Sequence, residues 1–253
     1  LRGHDSSKGV CTHSSGNHAA ALALAAKMRK IKCFVVMPEN APAVKKENVM
    51  SFGAQIFDVE STLKARIEGL EKVVAKTGAA FIHPYDNPQV IAGQGTAVKE
   101  LMEEMGLMDV VITPVGGGGL LSGTSIMVKG MSKDIEVYAG EPAGADDAYR
   151  SMKEGRPLAM NNPQTVADGL RTSLSERTFS IIKTNVSAIL PVEDELTLQA
   201  MKLVYDKLDV LIEPSSAVPL AAILANRELF AGKKVGLIVS GGNVDKSLYK
   251  WLS

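Results

Sequence analysis

The sequence predicts an α/β protein built from two lobes of mostly parallel sheet flanked by helices. Short β-rich runs alternate with helical patterns along nearly the whole 253-residue chain. Several of these runs are apolar on both faces, as strands covered on both sides must be. Such alternation gives parallel strands joined by right-handed helical crossovers. A chain of this length can also bury a large core.

Short β-rich runs predict strands at seven places. In chain order they are Val10–His13, Cys33–Met37, Gln55–Val59, Ala80–His83, Val110–Val115, Glu136–Gly140 and Val235–Val239. Helices are predicted between them, where apolar residues recur on one face before a glycine. The pattern Val98, Leu101, Met102, Met105 ends at Gly106, and the pattern Ile67, Leu70, Val74 ends at Gly78. Glycine is the usual residue just after a helix, so both glycines predict a helix end.

A cluster of prolines and glycines predicts the boundary between the two lobes. Pro84, Pro88, Gly93 and Gly95 interrupt the pattern between residues 84 and 95. We expect residues 8–92 to form a small domain and residues 93–253 a large domain, with a ligand cleft between them. Ligands of α/β proteins bind at the carboxyl ends of strands, so motifs at strand ends are the candidates for function.

Composition argues against several classes of function. Lys+Arg and Asp+Glu are equal at 28 each, so no net charge favours nucleic acid or an anionic membrane. No apolar run approaches the roughly 18 residues that span a bilayer. Cys11 and Cys33 lie in strand-like runs, and we interpret them as buried free thiols in a reducing compartment, the cytoplasm. His4, His13 and His83 lack the spacing of metal ligands and are interpreted as structural.

The strongest local motif is the run Gly116–Gly119, which follows the strand Val110–Val115 and precedes a helix-like segment. Successive glycines let backbone N–H groups turn inward without obstruction by a Cβ, and the helix adds its positive end. The run therefore predicts a phosphate-binding loop. Neither a P-loop nor a G-x-G-x-x-G fingerprint fits these residues. The alternative is a flexible turn, although a turn needs only one or two glycines.

A second motif, Ser14-Ser15-Gly16-Asn17-His18, joins the strand Val10–His13 to a helix expected from about Ala19 to Met28. Ser14 or Ser15 could cap this helix. Capping alone does not explain why four polar residues and a glycine gather at one strand end. Their donors would suit a small anion such as a substrate carboxylate.

A third motif, Ser240-Gly241-Gly242-Asn243, follows the strand Val235–Val239. Glycines again lie at a strand end, but the motif alone fits a plain turn equally well.

A fourth motif contains three carboxylates, Glu141, Asp146 and Asp147, after the strand Glu136–Gly140. Carboxylate and carbonyl oxygens are the ligands that Mg²⁺ or Ca²⁺ prefers. The alternative is that Asp146 and Asp147 are simply acids in the first turn of a helix.

Together, and in this order, these motifs resemble the fold-type II pyridoxal-phosphate family, specifically its serine racemase and serine/threonine dehydratase branch. The similarity runs from about Lys8 to Asp245. Further motifs that carry it are HPY at His83–Tyr85, AGQGT at Ala92–Thr96, ADG at Ala167–Gly169 and EPSSA at Glu213–Ala217. The resemblance implies a pyridoxal 5'-phosphate enzyme acting on small amino acids, a homodimer, and in some relatives a nucleotide effector.

The resemblance also implies roles for individual residues. Gly116, Gly117, Gly118 and Gly119 would hold the cofactor phosphate, Asn17 the ring hydroxyl and Ser240 the pyridine nitrogen. A serine can donate to an unprotonated nitrogen, whereas a carboxylate would hold the ring as a pyridinium. Ser14 and His18 would lie near the substrate carboxylate. Glu141, the carbonyl of Ala145, and Asp147 match the family's site for a divalent cation, Mg²⁺ or else Ca²⁺ or Mn²⁺.

Ser15 distinguishes between activities within the family. Racemase-like members carry serine here, on the face of the substrate opposite the lysine, whereas many bacterial threonine dehydratases carry alanine. Racemisation needs an acid/base on each face, so Ser15 favours a racemase that also dehydrates. Some hydroxyaspartate dehydratases share this serine, so a threonine or hydroxyaspartate dehydratase without racemase activity stays open.

The catalytic lysine of the family belongs to a Ser-Phe-Lys-x-Arg-Gly-type motif upstream of the first strand. Leu1-Arg2-Gly3 resembles the tail of that motif, but it lies too close to Ser14 and no lysine precedes it. We expect the lysine in an upstream segment that also completes the large domain. A chain without it could bind the cofactor but not attach it covalently, so a non-catalytic cofactor-binding relative is a third interpretation.

Overall fold

The structure is a computed structural model in which residues 6–14, 16–249 and 251 are described. Its strands are β1 (Val10–His13), β2 (Cys33–Pro38), β3 (Gln55–Val59), β4 (Ala80–Phe81), β5 (Val110–Pro114), β6 (Glu136–Pro142), β7 (Ala188–Val192) and β8 (Val235–Leu237). Its α-helices are α1 (Asn17–Met28), α2 (Ala43–Ser51), α3 (Leu63–Thr77), α4 (Pro88–Met105), α5 (Gly119–Met131), α6 (Asp147–Glu154), α7 (Glu176–Asn185), α8 (Asp194–Leu208), α9 (Pro214–Ala225) and α10 (Arg227–Phe230).

The chain divides into two compact units. The first contains the residues up to Pro84 together with those from Asp245 onward, and the second extends from Tyr85 to Val244. Helix α4 lies entirely in the second unit. The domain limits inferred from the sequence, 8–92 and 93–253, stay a prediction.

The first unit is built on a parallel sheet with strand order β3-β2-β1-β4. In β1, Val10 pairs with Cys33 of β2 on one side and with Ala80 of β4 on the other. Side chains alternate between the two faces of a strand, so both faces of a helix-covered sheet are apolar. Cys33 accordingly packs with residues of α1 and α2, and Cys11 with residues of α3. Both cysteines are buried and free, as predicted.

The second unit is built on a parallel sheet with strand order β7-β6-β5-β8. Its core packs α4 and α5 against these strands. The two helices touch at glycines: a Cβ on Gly95 would lie 2.8 Å from the carbonyl oxygen of Gly123. Gly95, the second glycine of the AGQGT motif, therefore permits α4 and α5 to pack closely.

All seven predicted strands are confirmed, and the α/β fold with parallel sheets is confirmed with them. The strand that sequence patterns missed is β7, which contains Pro191. A proline cannot donate a hydrogen bond to a neighbouring strand, so it is tolerated at an edge, where β7 lies. The predicted ends of α3 and α4 are also correct, at Gly78 and Gly106. Ile67 was expected on the buried face of α3 but is 43% exposed.

No helix in the described part of the chain is long and apolar enough to cross a membrane.

Candidate active site

The glycine loop Gly116–Gly119 offers buried backbone donors at the end of β5. All four glycines are buried, and none of their N–H groups donates a hydrogen bond to another described residue. The first donor that is satisfied belongs to Ser122, 2.9 Å from the carbonyl oxygen of Gly118. Buried N–H groups are rarely left unpaired, and those at the positive end of a helix attract anions. The loop thus fits a phosphate group.

The side of each glycine where a Cβ would lie is closed by protein. A Cβ on Gly118 would lie 2.7 Å from Leu174 Cδ2 and 2.9 Å from Ile182 Cδ1, while one on Gly117 would overlap the ring of Tyr85. Gly118 also has a φ of +83°, which L-residues rarely adopt. We expected the glycines mainly to keep a Cβ away from the donors. In the structure they also let the loop fit between two protein walls.

The two walls of the glycine loop are joined by an ion pair. Tyr85 forms one wall, and Ile182 of α7 contributes to the other. Arg177, also in α7, donates from Nη1 to Oδ1 of Asp86 over 2.7 Å. Sequence reasoning included Tyr85 only as a letter of the HPY motif and gave it no role.

The ADG and EPSSA motifs meet beside the loop. The N–H of Gly169 donates to Ser215 Oγ over 3.1 Å. Leu170, next in the chain, is so close to the loop that a Cβ on Gly116 would lie 3.0 Å from its Cα. Motifs that are far apart in the sequence, such as Gly169 and Ser215 at a separation of 46 residues, are therefore neighbours in the second unit.

Ser240 lies three residues after β8 and is half-buried. Its Oγ is 3.0 Å from the Oγ of Ser216, which is 0% exposed. Ser216 Oγ also lies 2.8 Å from the carbonyl oxygen of Gly241. The motif is thus more than a plain turn, because its serine belongs to a pair of hydroxyls. Sequence reasoning missed Ser216, although EPSSA was noted.

The helix that follows the polar motif after β1 starts earlier than expected and is not capped by a serine of the described residues. Helix α1 begins at Asn17, two residues before the expected Ala19, and Gly16 is its N-cap without a side-chain cap bond. Ser14, one of the two serines that could have capped the helix, is not its N-cap; its Oγ accepts from the N–H of Gly16 over 3.3 Å. Ser15 lies outside the described residues. Asn17 is exposed and lies in the first turn of the helix.

His18 follows Asn17 in the first turn of α1. Its Nε2 is 3.4 Å from the carbonyl oxygen of Ile82, and burial lowers its pKa to about 4. The ring is therefore neutral at pH 7 and would act toward a substrate as a hydrogen-bonding group rather than a cation.

His13, at the end of β1, packs against other rings. It stacks on Phe81 at 5.6 Å between centroids and meets His83 edge-on at 5.8 Å. Burial, together with the smaller effects of His83, Arg66 and His18, lowers its pKa to about 4. These contacts support the structural interpretation of His13 and His83, whereas His4 lies outside the described residues.

Glu141, at the end of β6, binds the start of α6 with its buried carboxylate. Its Oε1 accepts from the N–H of Ala148 and its Oε2 from that of Tyr149, each over 2.8 Å. Burial nevertheless raises its pKa to about 8. Asp147 is 1% exposed, and its Oδ2 has no hydrogen-bond partner among the described residues. Burial raises the pKa of Asp147 to about 6.

The carboxylates at the end of β6 do not form a complete metal site of protein side chains. No group of three or more His, Cys, Asp or Glu suited to a metal ion occurs among the described residues. Asp146 instead pairs with Arg150 over 2.7 Å. The expected ligand set has only two carboxylates, Glu141 and Asp147, with the buried carbonyl residue Ala145. A buried carboxylate oxygen without a partner is nevertheless what a cation would satisfy.

Comparison with known proteins adds independent findings. A family model described as pyridoxal-phosphate dependent enzyme matches residues 1–241. The chain is 50% identical over 244 residues to beta-hydroxyaspartate dehydratase of Paracoccus denitrificans, covering 96% of this chain and 78% of that protein. It is 49% identical over 245 residues to serine racemase of Dictyostelium discoideum, covering 95% and 76%. The structure of maize serine racemase is similar with a TM-score of 0.92 at 42% identity, covering 97% and 78%.

Proposed function

This chain belongs to the family of pyridoxal-phosphate dependent enzymes, in which it is a racemase or lyase, and from that premise we propose its reaction. It racemises serine, and it also removes water from serine and threonine to give an enamine, whose imine tautomer takes up water to yield the 2-oxo acid and ammonia. The observation that carries the proposal is the glycine loop, whose buried N–H groups lack acceptors in the described chain. A phosphate monoester supplies the acceptors that these donors need.

The proposed cofactor contacts follow from the donors that this chain offers. When bound, pyridoxal phosphate draws electrons away from the α-carbon of the substrate and so weakens its bond to hydrogen. Gly116–Gly119 bind the phosphate, Asn17 bonds the ring hydroxyl and Ser240 bonds the ring nitrogen. Ser14 and the neutral His18 bind the substrate carboxylate by hydrogen bonds.

Ser15 is the proposed acid/base on one face of the substrate. It gives a proton to the α-carbon, or takes one from it, on the face opposite the lysine that the resemblance assigns to an upstream segment. A single base can support the loss of water from one enantiomer, whereas inversion at the α-carbon needs a group on each face.

A second function, dehydration of hydroxyaspartate, is favoured by one finding. The relative that is 50% identical carries that activity in its name. Rates with both enantiomers of serine, with threonine and with hydroxyaspartate distinguish the two functions. A non-catalytic cofactor-binding protein would show no covalent cofactor band in the absorbance spectrum of the full-length protein.

We also propose that a divalent cation, Mg²⁺ or else Ca²⁺ or Mn²⁺, binds Glu141, the carbonyl of Ala145, and Asp147. The buried Oδ2 of Asp147, which has no hydrogen-bond partner in the described part of the chain, supports this assignment. From the family resemblance we further propose a cytoplasmic homodimer with a nucleotide effector.

The replacement Ser15→Ala in the full-length protein tests the two-base assignment. Racemisation of serine should fall about 10²–10⁴-fold, the usual contribution of a general acid/base group. Dehydration of L-serine should largely survive, because the lysine removes its α-proton and elimination needs no reprotonation at that carbon. Dehydration of D-serine should fall with racemisation, since its α-proton points toward Ser15. Steady-state rates for both enantiomers measure this division.

The matched control is Ser51→Ala, an exposed serine whose Oγ donates to the carbonyl oxygen of Asn48 at the end of α2. It should leave all three rates unchanged. Folded fraction and cofactor content are measured first, because loss of a serine near a helix start can cost ~1 kcal/mol. If racemisation and L-serine dehydration fall together in a folded, loaded variant, Ser15 positions substrate and the two-base assignment is wrong.

A further inference from the structure

Asp194 is a half-buried carboxylate that holds the turn containing the ADG motif, residues 165–171, called the ADG turn below. It lies in the first turn of α8. Its Oδ1 accepts from Thr165 Oγ1 over 2.6 Å, and its Oδ2 accepts from the N–H of Val166 over 2.8 Å. An acid at a helix start stabilises the helix dipole from any position in the first turn, which requires no fixed partner. Here both carboxylate oxygens are instead bound to one short segment.

The hydroxyl of Thr165 extends this hold into the ADG motif. Thr165 is 6% exposed, and its Oγ1 also accepts from the N–H of Ala167 over 3.1 Å. An ionised carboxylate only accepts, so the single hydroxyl proton of Thr165 points at Asp194. Arg171, at the other end of the ADG turn, donates from Nε to the carbonyl oxygen of Thr165 over 3.2 Å. The first and last residues of the ADG turn are therefore tied together and anchored to α8.

The ADG turn forms the wall on one side of the glycine loop. A Cβ on Gly116 would lie 3.0 Å from the Cα of Leu170 and 3.3 Å from the carbonyl oxygen of Gly169. Both are backbone atoms, which cannot swing aside as the end of a side chain can. If the ADG turn shifted, the loop would lose this wall, and its N–H groups would no longer be held in one direction.

We propose that Asp194 is a positioning residue for the phosphate site, which it supports by holding the ADG turn against the glycine loop. Asp194 itself does not touch the ligand but acts through Thr165 and the backbone of the ADG turn. Its removal should therefore weaken recognition of a phosphate group and leave recognition of the ring unchanged. This inference rests on the proposed binding of the cofactor phosphate by Gly116–Gly119.

Two ligands that bind without a covalent bond test the inference. Pyridoxine 5'-phosphate and pyridoxine share one ring and differ only in the phosphate group, so the ratio of their dissociation constants measures the preference for phosphate. Both constants are measured by calorimetry with the full-length protein and with Asp194→Ala. The variant should bind pyridoxine 5'-phosphate about 10-fold more weakly, the worth of one hydrogen bond to a charged group, and should bind pyridoxine unchanged.

Further variants follow the route from Asp194 to the loop. Asp194→Asn keeps the size of the side chain and one acceptor oxygen, so it should fold and lose a smaller part of the preference than Asp194→Ala. Thr165→Val removes the hydroxyl that Asp194 holds and should also lower the preference. The double variant Asp194→Ala with Thr165→Val should lose no more than Asp194→Ala alone, because the two residues act through one contact.

Two controls separate positioning from stability. Glu195→Ala also removes an acid from the first turn of α8, but Glu195 is exposed. Met201→Ala removes a side chain of the same helix that is 0% exposed, so it should lower the midpoint of thermal unfolding. Both controls should keep the full preference for phosphate.

Several results would overturn the inference. Equal weakening of both ligands by Asp194→Ala, or an equal loss of preference in Met201→Ala, would show that Asp194 only stabilises the fold. Additive losses in the double variant would show that Thr165 does not carry the effect. If Gly118→Val lowers the preference and the variants of Asp194 do not, Asp194 alone is wrongly assigned. If a folded Gly118→Val chain keeps the preference, the phosphate lies elsewhere, and the proposed cofactor site fails together with the role of Asp194.

Discussion

The carboxyl ends of β5 and β1 both lead directly into a helix, but they present polar groups in different ways. After β5 the donors are backbone N–H groups of Gly116–Gly119, and the residue before α5 is Gly118 in the left-handed region. After β1 the polar groups are side chains, and the residue before α1 is Gly16 at a φ of −128°. One end is defined by the path of its backbone and the other by the identity of its side chains.

This difference predicts opposite sensitivities. A backbone site tolerates no added Cβ where the walls close on it, and it has no group that titrates. A side-chain site tolerates changes of size better, but it responds to loss of a functional group and to pH. The end of β6 belongs to the second class, because Glu141 and Asp147 supply its oxygens.

The largest effect is expected for Gly118→Val, which attacks the backbone of the β5 end. A left-handed φ and a Cβ within 3 Å of Leu174 and Ile182 should destabilise the chain by ~2–5 kcal/mol. Affinity for pyridoxine 5'-phosphate should fall more than ~10-fold, because the N–H groups lose their alignment. Calorimetry and thermal unfolding measure the two effects.

The control for this variant is Gly130→Ala in α5, the helix that follows Gly118, where an added Cβ meets no atom of the described residues within 4 Å. It should keep full affinity and gain ~0.5–1 kcal/mol of stability, as alanine does in a helix. Unchanged affinity in a folded Gly118→Val chain would mean that the phosphate lies elsewhere.

A smaller effect is expected from removing the cation proposed at the end of β6. An ion present at 100 times its dissociation constant stabilises the folded state by ~2.7 kcal/mol, so chelation should lower the midpoint of thermal unfolding by several degrees. Asp147→Asn should remove this response to chelator. Asp146→Asn is the control, because Asp146 pairs with the partly exposed Arg150, and it should respond as the wild type does. If chelator leaves the unfolding midpoint of the wild type unchanged, the proposed cation site is wrong. Asp146 and Asp147 are then simply acids at the start of α6.

The sequence predicted the fold better than it predicted the contacts of the site. Strands and helix ends are local, so alternation, apolar spacing and Gly78 or Gly106 were sufficient to place them. The contact between Ser216 and Ser240 was missed because the two serines are 24 residues apart, and no local pattern reports such a pair. The wall that Leu174 forms against Gly118 is likewise tertiary. Ser216 belongs to the EPSSA motif noted in the sequence, but the motif does not indicate which residue Ser216 contacts.

The smallest effect is expected at the β1 end, where pH should act through His13. Its pKa is about 4 in the folded chain against about 6.5 when unfolded, because burial disfavours the charged ring. The unfolded chain therefore takes up a proton first as the pH falls. Stability should be unaffected by His13 above pH 6.5, decrease between 6.5 and 4, and change no further below 4. For a fully buried ring this difference in pKa would be worth ~3 kcal/mol. His13 is only partly buried, so screening by solvent reduces the decrease well below the effect expected for the cation.

The variant His13→Phe isolates the contribution of His13 to the pH dependence of stability, because it keeps an aromatic ring against Phe81 and removes the titrating group. Free energies of unfolding at pH 7.5, 6, 5 and 4.5 are compared by subtraction, so that all other ionisable groups contribute equally to both chains. The wild type should lose more stability than the variant on acidification, and the gap should open below about pH 6.5. Parallel curves for the two chains would mean that the His13 ring is protonated as readily in the folded chain as in the unfolded one. His13 would then contribute nothing to the pH dependence expected at the end of β1.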